Sequence, residues 1–191
     1  MARLGIAAVV GAVLLVGCGS TGTSSGASPT PVPLSSRVPD AIPGFDAQPE
    51  GTLGSGPADI TKAAADDGAS DASQVLTQSG FVDGYLRDWS DSSSTRSIYI
   101  YVFSFGSNAG AQRWLAHLAK EIATAAAQGS PLPVSVPGAA GYTSTLAGQP
   151  LLTIAFARGK LVAEVSVTGS GANGDLANQV AMQEYGLLPS G

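Results

Sequence analysis

The chain has 191 residues, 44% of them hydrophobic and 12% charged, which suits one globular domain and leaves little for a second. Nine basic residues stand against 14 acidic ones, a formal net charge of −5, so nucleic acid and anionic headgroups are poor partners, both favouring clustered Lys and Arg. With one cysteine in the sequence, no disulfide can form within the chain.

From the N-terminus, Met1-Ala2-Arg3 is a short positive region. Leu4 to Val16 is an apolar run of signal-peptide length, too short to span a bilayer as a stable helix. Leu15-Val16-Gly17-Cys18 resembles the lipobox of bacterial lipoproteins. The resemblance implies that a diacylglyceryl group is added to the Cys18 sulfur, that residues 1–17 are removed, and that acyl chains such as palmitate hold the mature chain on the extracytoplasmic side of the cell membrane. Each buried CH₂ contributes about 0.8 kcal/mol, so two or three chains anchor durably. Residues 18–56, rich in Gly, Ser, Thr and Pro, bury too little apolar area to offset chain entropy and are expected to form a disordered tether. The folded domain is expected over 57–191.

Ala58 to Ser79 is helix-prone, with a break expected at Gly68 and a C-cap at Gly80. Phe81 to Trp89 reads as a strand, Ser90 to Thr95 as a turn, and Ser97 to Phe105 as the strongest strand, apolar on both faces and therefore central. A helix over 107–127 follows, capped by Ser107 or Asn108, with Ala111, Trp114, Leu115, Leu118 and Ile122 on one stripe. Three more strands are expected around Tyr142 to Leu146, Leu151 to Ala157 and Leu161 to Thr168, the last two joined by the tight turn Arg158-Gly159. A helix from about Asp175 to Leu187 closes the domain. Short turns force antiparallel pairing, so the fold class is α+β: a single, mainly antiparallel sheet of about five strands with helices packed on its faces.

Gly80-Phe81, Gly84-Tyr85, Arg87-Asp88-Trp89 and Gly110-Ala111-Gln112 before Trp114-Leu115 resemble lipoproteins of high-GC Gram-positive bacteria with a PsbP/Mog1-like α/β/α domain. The resemblance covers about residues 69 to 187. It implies an architecture and an envelope address, and fold alone does not fix activity.

The side-chain census points to no enzyme. His117 is the sole histidine, and with Cys18 lipidated the usual Cys/His zinc sets cannot be assembled; no metal, cofactor or catalytic residue is assigned. His117 reads as a boundary residue at the edge of the apolar stripe. Gly22-Thr23-Ser24-Ser25-Gly26 matches the nucleophile-elbow pattern but lies in the tether, away from any strand-to-helix turn. Of two G-x-G-x-x-G matches, one spans the lipobox at Gly17, Gly19 and Gly22. The other, Gly169 to Gly174, lacks the second parallel strand and acidic residue of a dinucleotide site. Asp66, Asp67 and Asp71, and Asp83, Asp88 and Asp91, read as solvated surface charge, and Glu164 is expected on the solvent side of its strand.

Aromatic residues crowd the first hairpin. Tyr85, Trp89, Tyr99, Tyr101 and Phe103 are the candidate ligand-binding residues if one face is left partly uncovered, and core residues if it is not. Two functions stay open: a non-enzymatic envelope module that binds a protein or cell-wall partner, and a carrier or sensor of a small apolar or lipid ligand. A sealed core favours the first, and an apolar cavity above about 300 Å³ the second.

Overall fold

Ile98-Tyr99-Ile100-Tyr101-Val102-Phe103 alternates aliphatic and aromatic side chains across a strand, so both of its faces demand cover. The computed structural model, which describes residues 32–125 and 130–190, meets that demand by placing the strand mid-sheet between two long neighbours. The signal segment, Cys18, the Gly22–Gly26 pentapeptide and the first glycine motif lie outside the described residues.

Among the described residues, one antiparallel sheet of eight strands carries four α-helices. In chain order these are β1 (Phe45–Ala47), β2 (Gly56–Ala58), α1 (Ile60–Asp67), α2 (Ala72–Ser79), β3 (Phe81–Asp91), β4 (Arg96–Phe105), α3 (Asn108–Ala125), β5 (Ser130–Pro131), β6 (Ala140–Leu146), β7 (Gln149–Arg158), β8 (Leu161–Gly169) and α4 (Gly174–Leu187). The sheet order is β1-β3-β4-β8-β7-β6-β5, with β2 also pairing with β3. The expected hairpins β3–β4 and β7–β8 are present, and β8 returns to lie beside β4.

The expectation of about five strands is corrected to eight. β1, β2 and β5 have only three, three and two residues, too few for alternation to show, and they exist because β3 and β6 offer edges to pair with. The domain also starts earlier than Pro57. Residues from Val32 form one compact unit, in which Val38 and Ile42 are buried in the core and β1 pairs with Phe45 opposite Asp91. Two apolar side chains in a Pro- and Ser-rich stretch are enough to dock it, because the sheet supplies the partner surface.

The first two helices end where their glycines suggest. Gly68 and Gly80 cap α1 and α2 in the left-handed conformation at φ 78° and 70°, open to glycine without strain. Gly110 lets α3 cross α2 closely: a Cβ there would lie 1.9 Å from the Ser79 carbonyl oxygen. Asn173 caps α4, its side-chain oxygen accepting from the Leu176 N–H. Gly169, the first glycine of the second motif, has φ +105° and would place a Cβ 2.0 Å from the Thr95 carbonyl oxygen; chain crossing accounts for it.

Two clusters cover the two faces. Ile98, Ile100, Val102, Ile154, Val165 and Val167 pack with Val180 and Ala181 of α4 and with Val38 and Ile42. Tyr101, Phe103 and Phe105 pack with Trp114 and Leu118 of α3 and with Ala63 and Leu76 of α1 and α2. No described helix is long and apolar enough to cross a membrane.

Candidate functional site

Register builds the floor of a cavity on the α1/α3 face. Tyr99 lies opposite Ser166 and Ser166 opposite Thr153; in the next row Leu86 lies opposite Tyr101 and Tyr101 opposite Glu164. All of these point to one face, because residues paired across strands share it. Beyond Glu164 the row continues with Ala155, buried in the cluster under α3. Gly84 makes room for Tyr101: a Cβ at Gly84 would come within 3.1 Å of the ring.

Asp66 and Asp67 at the end of α1, and Leu118, Glu121 and Ile122 of α3, roof this floor. The space between them, open to solvent on one side, is about 660 Å³, within the range of small-molecule sites. Leu53 and Leu146 stand at its rim, 63% and 56% exposed. Leu53 has φ 49°, an uncommon conformation for a bulky residue, held by the turn in which Thr52 N–H donates to the Pro49 carbonyl and Ser55 N–H to the Thr52 carbonyl. Backbone strain that exposes a leucine beside a cavity is a feature of binding sites more than of cores.

The five aromatic candidates part company here. Tyr99, Tyr101 and Phe103 line the cavity, with the Tyr101 and Phe103 rings stacked at 4.1 Å. Tyr85 and Trp89 face the opposite side and belong to the α4 core, Tyr85 donating to Glu50 at 2.7 Å. Alternation separates the two sets, since β3 and β4 pair Trp89 with Ile98 and thereby place both on the α4 side.

Several carboxylates differ from the expected solvated surface. Glu164 faces the cavity, where burial first, and then the nearby Asp67 charge, push its carboxyl up to about 7, partly opposed by a hydrogen bond from Ser166. Asp88 is fully buried with neither carboxyl oxygen hydrogen-bonded to a described side chain, and burial raises it to about 6. Asp91 at the hairpin end accepts from Thr95, Arg96 and the Arg96 side chain; burial works against ionisation, but these donors prevail and lower its pKa. The Tyr101 hydroxyl is buried without a hydrogen bond, and burial, then the Asp66 charge, raise it.

His117, expected at the boundary, is buried. Its ring stacks on Trp114 at 4.7 Å, and Nε2 lies 3.3 Å from Asp67 Oδ1, which also accepts from the Ala69 N–H. Asp71, His117 and Glu121 each bring one ligand atom within 4.8 Å of the others, close enough to hold a divalent cation or to surround an imidazolium. The α1–α2 break at Gly68 brings Asp67 and Asp71 to α3 despite a separation of some 50 residues. The sequence signal for Glu164, Ser166 and Thr153 was their polarity within otherwise apolar strands.

Sheet, roof and cavity together define an α+β domain with an internal space on one side of its sheet. Residues 39–184 match the family described as "Domain of unknown function (DUF7373) N-terminal", and the chain belongs to that family. A crystal structure of the extracellular domain of PknH from Mycobacterium tuberculosis is similar at 11% identity and a TM-score of 0.45, over 62% of this chain and 72% of that one. No curated protein matches the chain. The PsbP/Mog1-like resemblance stays an expectation.

Proposed function

We propose that this chain is an exported binding module, held at a membrane surface by lipid on Cys18, whose cavity takes up a small, largely apolar ligand. The observation that carries the reading is the space of about 660 Å³ between Tyr99, Tyr101 and Phe103 on the floor and Leu118 and Ile122 on the roof. A half-open, largely apolar cleft of this size, rimmed by exposed leucines, supports ligand uptake over a surface that only docks a partner.

Native mass spectrometry of the protein released from its own membranes tests the reading. An adduct of constant mass, lost when Ser166→Leu with Thr153→Val fills the floor, is the expected result; ligand-free spectra from both proteins would sink it. Attachment is tested separately. Cys18→Ser should abolish fatty-acid labelling and leave an unprocessed or unlipidated chain, and undiminished labelling would refute the anchor.

A further inference from the structure

Resting on that reading of the cavity, we infer that its ligand is an apolar compound bearing a protonated amine, with the ammonium held near Glu164 and Tyr99. Four carboxylates line the space, Asp66, Asp67, Glu121 and Glu164, and no lysine or arginine is among the lining residues. Two of the four already have partners: Lys62 Nζ bonds Asp66, and His117 lies against Asp67. Glu121 has only Lys120 on the outer surface, 3.9 Å away. Glu164 makes no ion pair among the described residues.

The Tyr101 ring is already engaged, stacked on Phe103 with Lys62 Nζ 5.8 Å from its centroid, which leaves Tyr99 as the lining tyrosine a ligand cation can approach. Ser166 and Thr153, hydrogen-bonded to each other at 3.0 Å, add hydroxyl oxygens that can accept from an ammonium. A carboxylate or phosphate head group would meet Glu121 and Glu164 with no lysine or arginine among the lining residues to neutralise it, which disfavours fatty acids and phospholipids. The apolar walls, Leu86, Leu118, Ile122 and Leu151, would hold the rest of the molecule.

Glu164 supplies a readout that a merely structural carboxyl would not. Burial, then the Asp67 charge, raise its carboxyl to about 7, with Asp66 and Asp67 from α1, Glu121 from α3 and Tyr99 and Tyr101 from β4 around the same space. An arriving ammonium favours the carboxylate, so binding should release a proton.

The test titrates dodecylammonium and dodecanoate below their micellar concentrations and 1-dodecanol below its solubility limit into the chain from residue 18 onward carrying Cys18→Ser, so that neither acyl chain nor detergent competes. Calorimetry at pH 6.5 in two buffers of different ionisation heat counts protons released. Expected are at least tenfold tighter binding of the ammonium than of the alcohol, weaker binding of the carboxylate than of either, and proton release confined to the ammonium. Glu164→Gln should remove the ammonium preference and the proton release while keeping dodecanol affinity within about threefold. Should that variant fail to bind dodecanol, Glu121→Gln takes its place with at least a threefold loss of ammonium preference expected. Equal affinities for the three probes, or a preference for dodecanoate, would overturn the inference and leave the cavity reading intact; no binding of any probe would overturn the cavity reading itself.

Discussion

Ile100 and Tyr101 are neighbours in β4 and face two differently built interiors. On the Ile100 side, Ile98, Ile154, Val165 and Val167 are all at 0% exposure under α4. On the Tyr101 side, one residue along the same strands, the positions are held by Tyr99, Thr153, Glu164 and Ser166, all of which line the cavity. Short β-branched side chains let a helix settle onto the sheet and interdigitate. Long aromatic and polar side chains hold α1 and α3 away in the middle while Trp114, Phe103 and Phe105 seal one end. One face serves stability and the other is free to serve binding.

The largest contrast should come from truncating an aromatic on each face. Trp89 is fully buried on the α4 side, and Trp89→Ala should cost about 3–5 kcal/mol. Tyr99 borders space on the other side, and Tyr99→Ala should cost less than about 1.5 kcal/mol, its neighbours losing fewer contacts. Urea unfolding of both variants measures the difference; similar losses would mean that the two interiors are packed alike.

Ionisation gives the next contrast. Glu184 of α4 is at 0% exposure with neither carboxyl oxygen hydrogen-bonded, and burial pushes it up to about 8. A carboxyl with a raised native pKa binds more protons folded than unfolded, so stability falls as pH rises from the ordinary glutamate range through the native value. Melting temperature should therefore drop between pH 5 and pH 8.5, with Asp88, raised to about 6, adding to the early part. Glu184→Gln should flatten the later part and stabilise the protein by roughly 1–3 kcal/mol at pH 8.5. Glu164→Gln should change the profile less, because its carboxyl opens onto a cavity that water can enter. A larger effect from Glu164 would reverse the comparison.

Period-two alternation made the long strands, the two hairpins and the central place of β4 readable in advance, and the glycines at 68 and 80 marked helix ends through the backbone geometry only glycine adopts freely. Alternation says which residues share a face and is silent on what lies above it. Glu164 is for that reason expected in solvent, and the structure places it, with Ser166 and Thr153 of the neighbouring row, along the cavity beneath α1 and α3. Tyr85 and Trp89 were grouped with Tyr99 and Tyr101 because the hairpin was read as one patch, although cross-strand register puts them on opposite sides. His117 and Asp67 meet only because α1 and α2 fold back on α3, a contact between helices that no local pattern encodes. Residues 32–56 were misjudged by averaging: their composition is that of a linker, and Val38 and Ile42 dock regardless.

The smallest effect on stability is expected where the comparison can be drawn most sharply, by enlarging one side chain on each face of β8. Val165 is fully buried against α4, and Val165→Phe should cost about 1–3 kcal/mol through overpacking. Ser166 is its neighbour, and its hydroxyl bonds Thr153. Replacing both members of that pair, as Ser166→Leu with Thr153→Val, removes their mutual bond as a unit and costs only the Ser166 bond to Glu164 while adding volume on the cavity side, so stability should stay within about 1 kcal/mol of the parent. The same double variant removes the room a ligand needs, and dodecanol affinity should fall at least tenfold. Unchanged stability with lost binding is the combination that a vacant, water-accessible floor produces; a cost matching that of Val165→Phe would show instead that this face is as tightly closed as the other.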